Sequence, residues 1–162
     1  MKKFLFLSVI LFALLSCNKE EPVAVAPPAT FADIQLKHIQ EMESAMSATN
    51  RIPILSNGKI IWKPGDVFVY KTKEGRFGKF EVMQINVTDR YVTIEAVTFA
   101  SDGKVFNQAN ALNIRDTYHC DLDLVAEATS ATGDFQSDRQ IDGFLDLEPE
   151  HNAKFASYNF VK

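Results

Sequence analysis

The sequence predicts a mainly β domain, an antiparallel β-sandwich or small barrel of about seven or eight strands with one N-terminal amphipathic helix. Three observations predict it. From Ile52 onward, runs rich in Val, Ile, Phe and Tyr alternate with turn dipeptides such as Asn57-Gly58, Pro64-Gly65 and Asp102-Gly103. Before them, a single stripe of apolar residues recurs at helical spacing. The apolar fraction of 46% and the thirteen Phe supply enough side chain for a packed core.

The elements follow in order. Thr30-Phe31-Ala32-Asp33 reads as a helix start, with Thr30 as cap and an acid three residues on. Ala32, Leu36, Ile39, Met42 and Met46 then share one helical face, and Asn50 with Pro53 ends the helix. That methionine-bearing stripe is expected to pack on the domain's own sheet. Asn57-Gly58 and Asp102-Gly103 suit type I′ turns, and Pro64-Gly65 suits a type II turn. Val67–Lys73, Lys79–Val87 and Tyr91–Phe99 belong to an antiparallel meander, with Glu74-Gly75 joining the first two. In Phe80–Val87 the apolar phase slips by one residue, which places a bulge near Val82–Met83.

Leu112 to Leu124 carries the clearest alternation. Leu112, Ile114, Tyr118, Cys120, Leu122 and Leu124 share one parity; Asn113, Arg115, Thr117, His119, Asp121 and Asp123 share the other. The run exceeds a usual strand of about 5–6 residues, so a break is expected near Asp116. Thr129–Asp134 reads as a loop. Ile141–Leu147 and Lys154–Val161 read as closing strands.

The N-terminus is of another kind. Lys2 and Lys3 precede an apolar run, Phe4 to Leu15, that closes on Leu14-Leu15-Ser16-Cys17. A basic start, a short apolar core and a small residue at the cut describe a secretory signal, too short for a bilayer that needs roughly 20 residues. The last four residues resemble the lipobox of bacterial lipoproteins. That resemblance implies a signal peptide over residues 1–16, cleavage before Cys17, acylation of Cys17, and attachment to a membrane through the N-terminal lipid. Asn18-Lys19-Glu20-Glu21 is similar to the export signal of certain Gram-negative surface lipoproteins, which implies an outer-membrane or surface location. Pro22 to Ala29 continues residues 17–30 as a Pro/Ala tether. Residues 31–162 then form one domain, for which the sequence suggests no family.

Composition limits the partners. The formal net charge of −4, more negative once Lys2 and Lys3 are removed, argues against nucleic acid. With Cys17 acylated, Cys120 has no intramolecular partner.

Few residues offer chemistry. His119, Asp121 and Asp123 share one parity and are candidates to hold a cation, with Cys120 turned to the core. Asp138-x-Gln140-x-Asp142-Gly143 approaches a calcium loop, but Gln140 and Pro149 stand where the motif wants Asp or Asn and a bidentate Glu. A solvated acidic edge is the plainer expectation, and no metal or other cofactor is required. The acids of 116–150 and the bases of 59–90 are set to complement each other within the fold. Trp62, the only tryptophan, is a candidate for stacking on a sugar ring, against the commoner role in a core or rim. Nucleophile-elbow, zincin, dinucleotide and P-loop motifs are all missing, and no carboxylate spacing marks a glycosidase. The expectation is a non-enzymatic lipoprotein that binds a protein or glycan ligand. The alternatives are a structural envelope protein working through protein contacts and a surface hydrolase.

Overall fold

A computed structural model describes residues 27–49, 52–56, 59–86, 88–115, 117–139 and 145–160. Among these, eleven strands form two antiparallel sheets. In chain order they are β1 (Ile52–Ser56), β2 (Lys59–Ile60), β3 (Val67–Lys71), β4 (Phe77–Asn86), β5 (Tyr91–Phe99) and β6 (Val105–Arg115). Then come β7 (His119–Asp121), β8 (Ala126–Ala128), β9 (Phe135–Arg139), β10 (Leu145–Pro149) and β11 (Lys154–Tyr158). One sheet has the order β2-β1-β10-β9-β7-β8 and the other β11-β3-β4-β5-β6. Both sheets keep open edges, so the fold is a sandwich and not a closed barrel.

The meander is β3 through β6, four consecutive strands paired side by side. The expected bulge is present: pairing with β5 slips between Val82 and Gln84, so Phe80 and Val82 point inward, Met83 outward and Ile85 inward again. Lys63-Pro64-Gly65-Asp66 is the expected type II turn, with Gly65 at φ +92 and Asp66 N–H donating to Lys63 O at 3.0 Å. Asp102-Gly103 differs from expectation. Only Gly103 has positive φ, and its N–H donates to Ala100 O, which makes a type I turn closed by a left-handed glycine. The β3–β4 hairpin repeats this solution with Gly75. Asn57-Gly58 lies outside the described residues.

Between the sheets, Trp62, Phe68, Tyr70, Phe80, Phe135 and Phe155 form one aromatic core with Val82, Ile94, Cys120 and Leu147. A second core covers the other face of the five-stranded sheet, where Ile34, Ile39 and Met46 pack on Val67, Val69 and Phe99. Strand β3 is therefore buried on both faces, which explains its unbroken apolar run Val67–Tyr70.

The N-terminal helix is shorter than its periodicity implies. α1 spans Leu36–Glu41, followed by a 3₁₀ turn over Glu43–Ala45. Thr30 is not its cap: the Asp33 carboxylate accepts the Thr30 N–H and hydroxyl and closes a separate turn. The cap is Gln35, in a capping box with His38. From Leu36 onward the apolar stripe keeps its phase, since Leu36, Ile39, Met42 and Met46 face the sheet. Ala32, however, is exposed, and Ile34, in the turn before the helix, is buried instead. Lys79, buried in that sheet, donates through Nζ to Phe31 O and, at 2.9 Å, to Ile34 O.

The long Leu112–Leu124 run divides as its length requires, and divides completely. Strand β6 ends at Arg115, Thr117 takes φ 63, and β7 starts at His119 in the opposite sheet. The run is broken at Thr117 and the chain turns again at once after Asp121, so single-strand parity fails on both sides of Cys120. Leu124 and Tyr118, expected inside, are exposed, while Asp121 and Asp123, expected outside, are buried. Cys120 is buried as expected. Strand β9 falls where the sequence shows no strand signal. Strand β10, Leu145–Pro149, covers the end of the expected Ile141–Leu147 run, of which residues 141–144 lie outside the described ones.

Tyr70 lies flat against Gly78 on the neighbouring strand, and a Cβ there would come within 2.2 Å of the ring. Gly78→Ala is thus an overpacking change in a closed core. It is expected to cost roughly 2 kcal/mol, read as a lower denaturant midpoint at unchanged m-value.

Candidate functional site

The polar residues converge at one end of the sandwich, where the β3–β4 hairpin meets the β7–β8 turn and the loop before β9. Asp134 lies at the centre with no exposed surface. Its Oδ1 accepts Lys73 N–H at 2.8 Å and its Oδ2 accepts Leu122 N–H at 2.7 Å, one donor from each sheet's connections. Its own N–H donates to Cys120 O, and its carbonyl accepts Glu150 N–H. Burial raises its pKa, and the hydrogen bonds from Lys73 and Leu122 oppose that shift without cancelling it.

A hydroxyl relay runs alongside. The Tyr70 hydroxyl lies 2.8 Å from Thr98 Oγ1, and Thr98 donates to Leu122 O. Leu122, itself buried, is thereby held through both its N–H and its carbonyl.

Glu74 and Asp123 complete the cluster. One oxygen each of Glu74, Asp123 and Asp134 lie within 4.8 Å of one another. Asp123 Oδ1 accepts the Thr72 hydroxyl at 3.3 Å, and Arg76 Nη1 stands 3.3 Å from Oδ2. Burial, and then the neighbouring Glu74, push the Asp123 carboxyl up to about 7. Its neighbour Asp123, as the proton-bearing member of the pair, holds Glu74 below its ordinary value. The Arg76 guanidinium stacks on Phe106 at 4.1 Å, which turns it toward the cluster.

Among the described residues singled out from sequence, only Asp123 joins this cluster. His119 Nδ1 donates to Glu150 Oε2 at 2.7 Å, away from it. Asp121 Oδ1 accepts the N–H groups of Asp123 and Leu124, both at 2.9 Å, and so caps the turn. The cation set His119, Asp121 and Asp123 is therefore not assembled, because the chain turns after β7 and breaks the shared face. As a metal-holding set, Glu74, Asp123 and Asp134 fit poorly. Both Asp134 oxygens already accept backbone N–H groups, and Arg76 supplies positive charge at Asp123. Asp138 lies on β9 but its side chain is outside the described set, and Asp142 lies outside the described residues altogether, so the calcium-like loop has no described geometry. Cys17 also lies outside them.

Trp62 is placed in the core. Its ring is 4.6 Å from Phe68 and 6.0 Å from Phe80, and the residue is 4% exposed, which leaves no open face for a sugar. Asp134 and Glu74 were missed from sequence because each sits in a turn, where residue spacing carries no face. The one signal was the charge balance, and Arg76 against Asp123 is a pairing of the kind it implied.

Comparison with known proteins finds no matching family model, no matching curated protein and no matching solved structure. The functional reading therefore rests on the residues of this chain.

Cys120 provides a check on the placement of β7. Burial, and then Asp134, raise the thiol well above its ordinary range. A water-soluble thiol reagent is expected to label the folded domain slowly and the denatured chain fast. Cys120→Ala is expected to cost on the order of 1 kcal/mol, and His119→Ala a similar amount through the lost Glu150 contact. Fast labelling in the folded state refutes the placement.

Proposed function

We propose that this chain is the precursor of an outer-membrane or surface lipoprotein whose sandwich domain is a non-enzymatic module for a ligand or protein partner. The observation that carries the reading is Leu14-Leu15-Ser16-Cys17 at the end of a short apolar run with a basic start. Pro22 to Ala29 then spaces the domain from the lipid. No helix among the described residues is long and apolar enough to cross a membrane.

Within the domain, a protein partner is better supported than a small ligand. Tyr70, Phe80, Phe135 and Phe155 pack in the core away from the surface. Trp62, Phe68, Tyr158 and Phe160 border a groove of about 500 Å³, in which Trp62 and Phe68 are themselves buried. Strand β6 is eleven residues long, forms one edge of its sheet, and exposes Val105 and Phe106. Edges of this kind pair with other chains when nothing covers them. A groove of about 440 Å³ near Arg76 and Phe106 is lined by Glu74, but not by Asp123 or Asp134. Of the clustered carboxyls only Glu74 reaches that groove, which weakens the hydrolase alternative.

Metabolic labelling with a fatty acid tests the anchor. Cys17→Ser is expected to lose the label and leave unprocessed precursor; continued labelling ends the lipoprotein reading. Surface display has its own test. Replacing Lys19, Glu20 and Glu21 by alanine is expected to keep the lipid but hide the protein from protease added to whole cells. Equal digestion of both forms makes the charged cluster a mere linker.

A further inference from the structure

Asp123 stands where a negative charge is hard to hold. The residue is 6% exposed, and its Oδ2 is wholly buried without a hydrogen-bond partner among the described residues. Carboxyl oxygens of Glu74 and Asp134 lie within 4.8 Å, and carboxylates this close resist ionising together. The hairpin presents Lys73, Glu74 and Arg76 to this point. The β7–β8 side presents Asp121 and Cys120, the loop before β9 presents Asp134, and β3 presents Tyr70. From β6, Asn107 Nδ2 donates to the carbonyls of Asp123 and Leu124. Among the described residues Arg76 alone brings a cation to Asp123, 3.3 Å from Oδ2, while Lys73 donates to Thr132 O and stands 3.7 Å from Glu74.

We propose that the Glu74–Asp123 carboxyl pair binds one proton that locks the β3–β4 hairpin against the β7–β8 turn, and that alkaline conditions release the lock. A shared proton gives the buried Oδ2 its missing hydrogen-bond function and removes one of two adjacent charges. Loss of the proton sets Glu74 against Asp123 across the joint between the two sheets. Asp134 still bridges the same turns, so the joint loosens locally and the sandwich does not come apart.

The sign follows from linkage. An unfolded Asp releases its proton near 3.8, whereas the folded Asp123 holds it to about 7. Between roughly pH 4 and pH 7 the folded protein thus carries the extra proton, and stability falls as pH rises through that window. Above it, this group adds no further slope.

The melting temperature is to be followed from about pH 5 to about pH 8 for the wild type, Asp123→Asn and Glu74→Gln, in EDTA and separately with calcium. The wild type is expected to lose melting temperature up to neutrality and then level off. Asp123→Asn, with an uncharged amide in place of the protonated acid, is expected to lose most of that fall. Glu74→Gln, at an exposed position, is expected to move the fall toward acid. The Asp123 carboxyl carbon, read by NMR, should titrate in the neutral range in the wild type. Should Asp123→Asn not fold, the Glu74→Gln shift and the carboxyl titration decide. The proposal is overturned by unchanged profiles in the variants that fold, or by an Asp123 titration near the ordinary carboxylate range. Calcium raising the alkaline melting temperature of the wild type but not of Asp123→Asn overturns it equally, since a cation and not a proton then joins the pair.

Discussion

The carboxylate of Asp134 fixes the register between the two sheets. A carboxyl group without exposed surface must find its hydrogen bonds inside the protein, and here it takes one from each sheet's connections, Lys73 and Leu122. Hydrogen bonds to a charged group contribute about 1.5–3 kcal/mol each, against a desolvation cost of several kcal/mol per buried ion. The raised pKa shows that desolvation prevails over the two donors. Asp134 therefore adds direction more than stability. Stability comes from the rings beside it, where fully burying a Phe-sized side chain contributes about 1.5–3 kcal/mol. Phe80 alone touches Trp62, Phe68, Tyr70, Phe135 and Phe155. Those contacts say that the sheets stick together, but not how one is placed on the other. The polar end supplies that placement.

A second polar anchor works on the opposite face. Lys79 carries its amine into the outer core and gives it to the carbonyls of Phe31 and Ile34. Its Nζ also lies 4.4 Å from the Phe31 ring centre. Burial lowers its pKa, and Glu95, Asp33 and Glu81 pull it back from a distance. The amine thus holds the segment that leads into α1, whose six residues are too few to be stable on propensity alone. The short helix exists because Ile34, Ile39 and Met46 have a sheet to cover and Lys79 ties down the turn before them.

These anchors mark where sequence reading succeeds and where it stops. Strand pairing within β3 to β6 was legible because each strand follows the previous one through a short turn, two of them closed by a glycine, Gly75 and Gly103. The bulge at Val82–Met83 was legible as a slip of apolar phase, and Cys120 as one step of a period of two. The cluster was not legible, because Glu74, Asp123 and Asp134 lie in three connections separated in sequence. Parity applied across Leu112–Leu124 assigned Asp123 and Leu124 to the wrong sides. It treats the run as one strand, whereas the Asp121 carboxylate bends the chain by accepting two N–H groups just beyond β7. An acid in a strand and an acid capping a turn have the same spacing. Only the partners of their oxygens tell them apart.

The same distinction ranks the acids of this negatively charged chain. Asp33, Asp102 and Glu127 have pKa values lowered by hydrogen bonds to Thr30, Lys104 and Arg115. Groups of this kind favour the folded state above their unfolded pKa, and the contribution is lost on acidification. All three pairings are exposed, however, and water and salt screen them to little net effect. Asp123 and Asp134 are raised, so their contribution runs the other way, being largest when protonated and declining as pH rises. Both are enclosed by protein, where screening is weak. Glu81, raised by burial and by Glu95, adds to the same side from a partly exposed position. The balance therefore lies with two buried carboxyls and not with the larger number at the surface. The sequence has the composition of an acidic solvated face, but the acids that govern the fold's response to pH are those that the turns have turned inward.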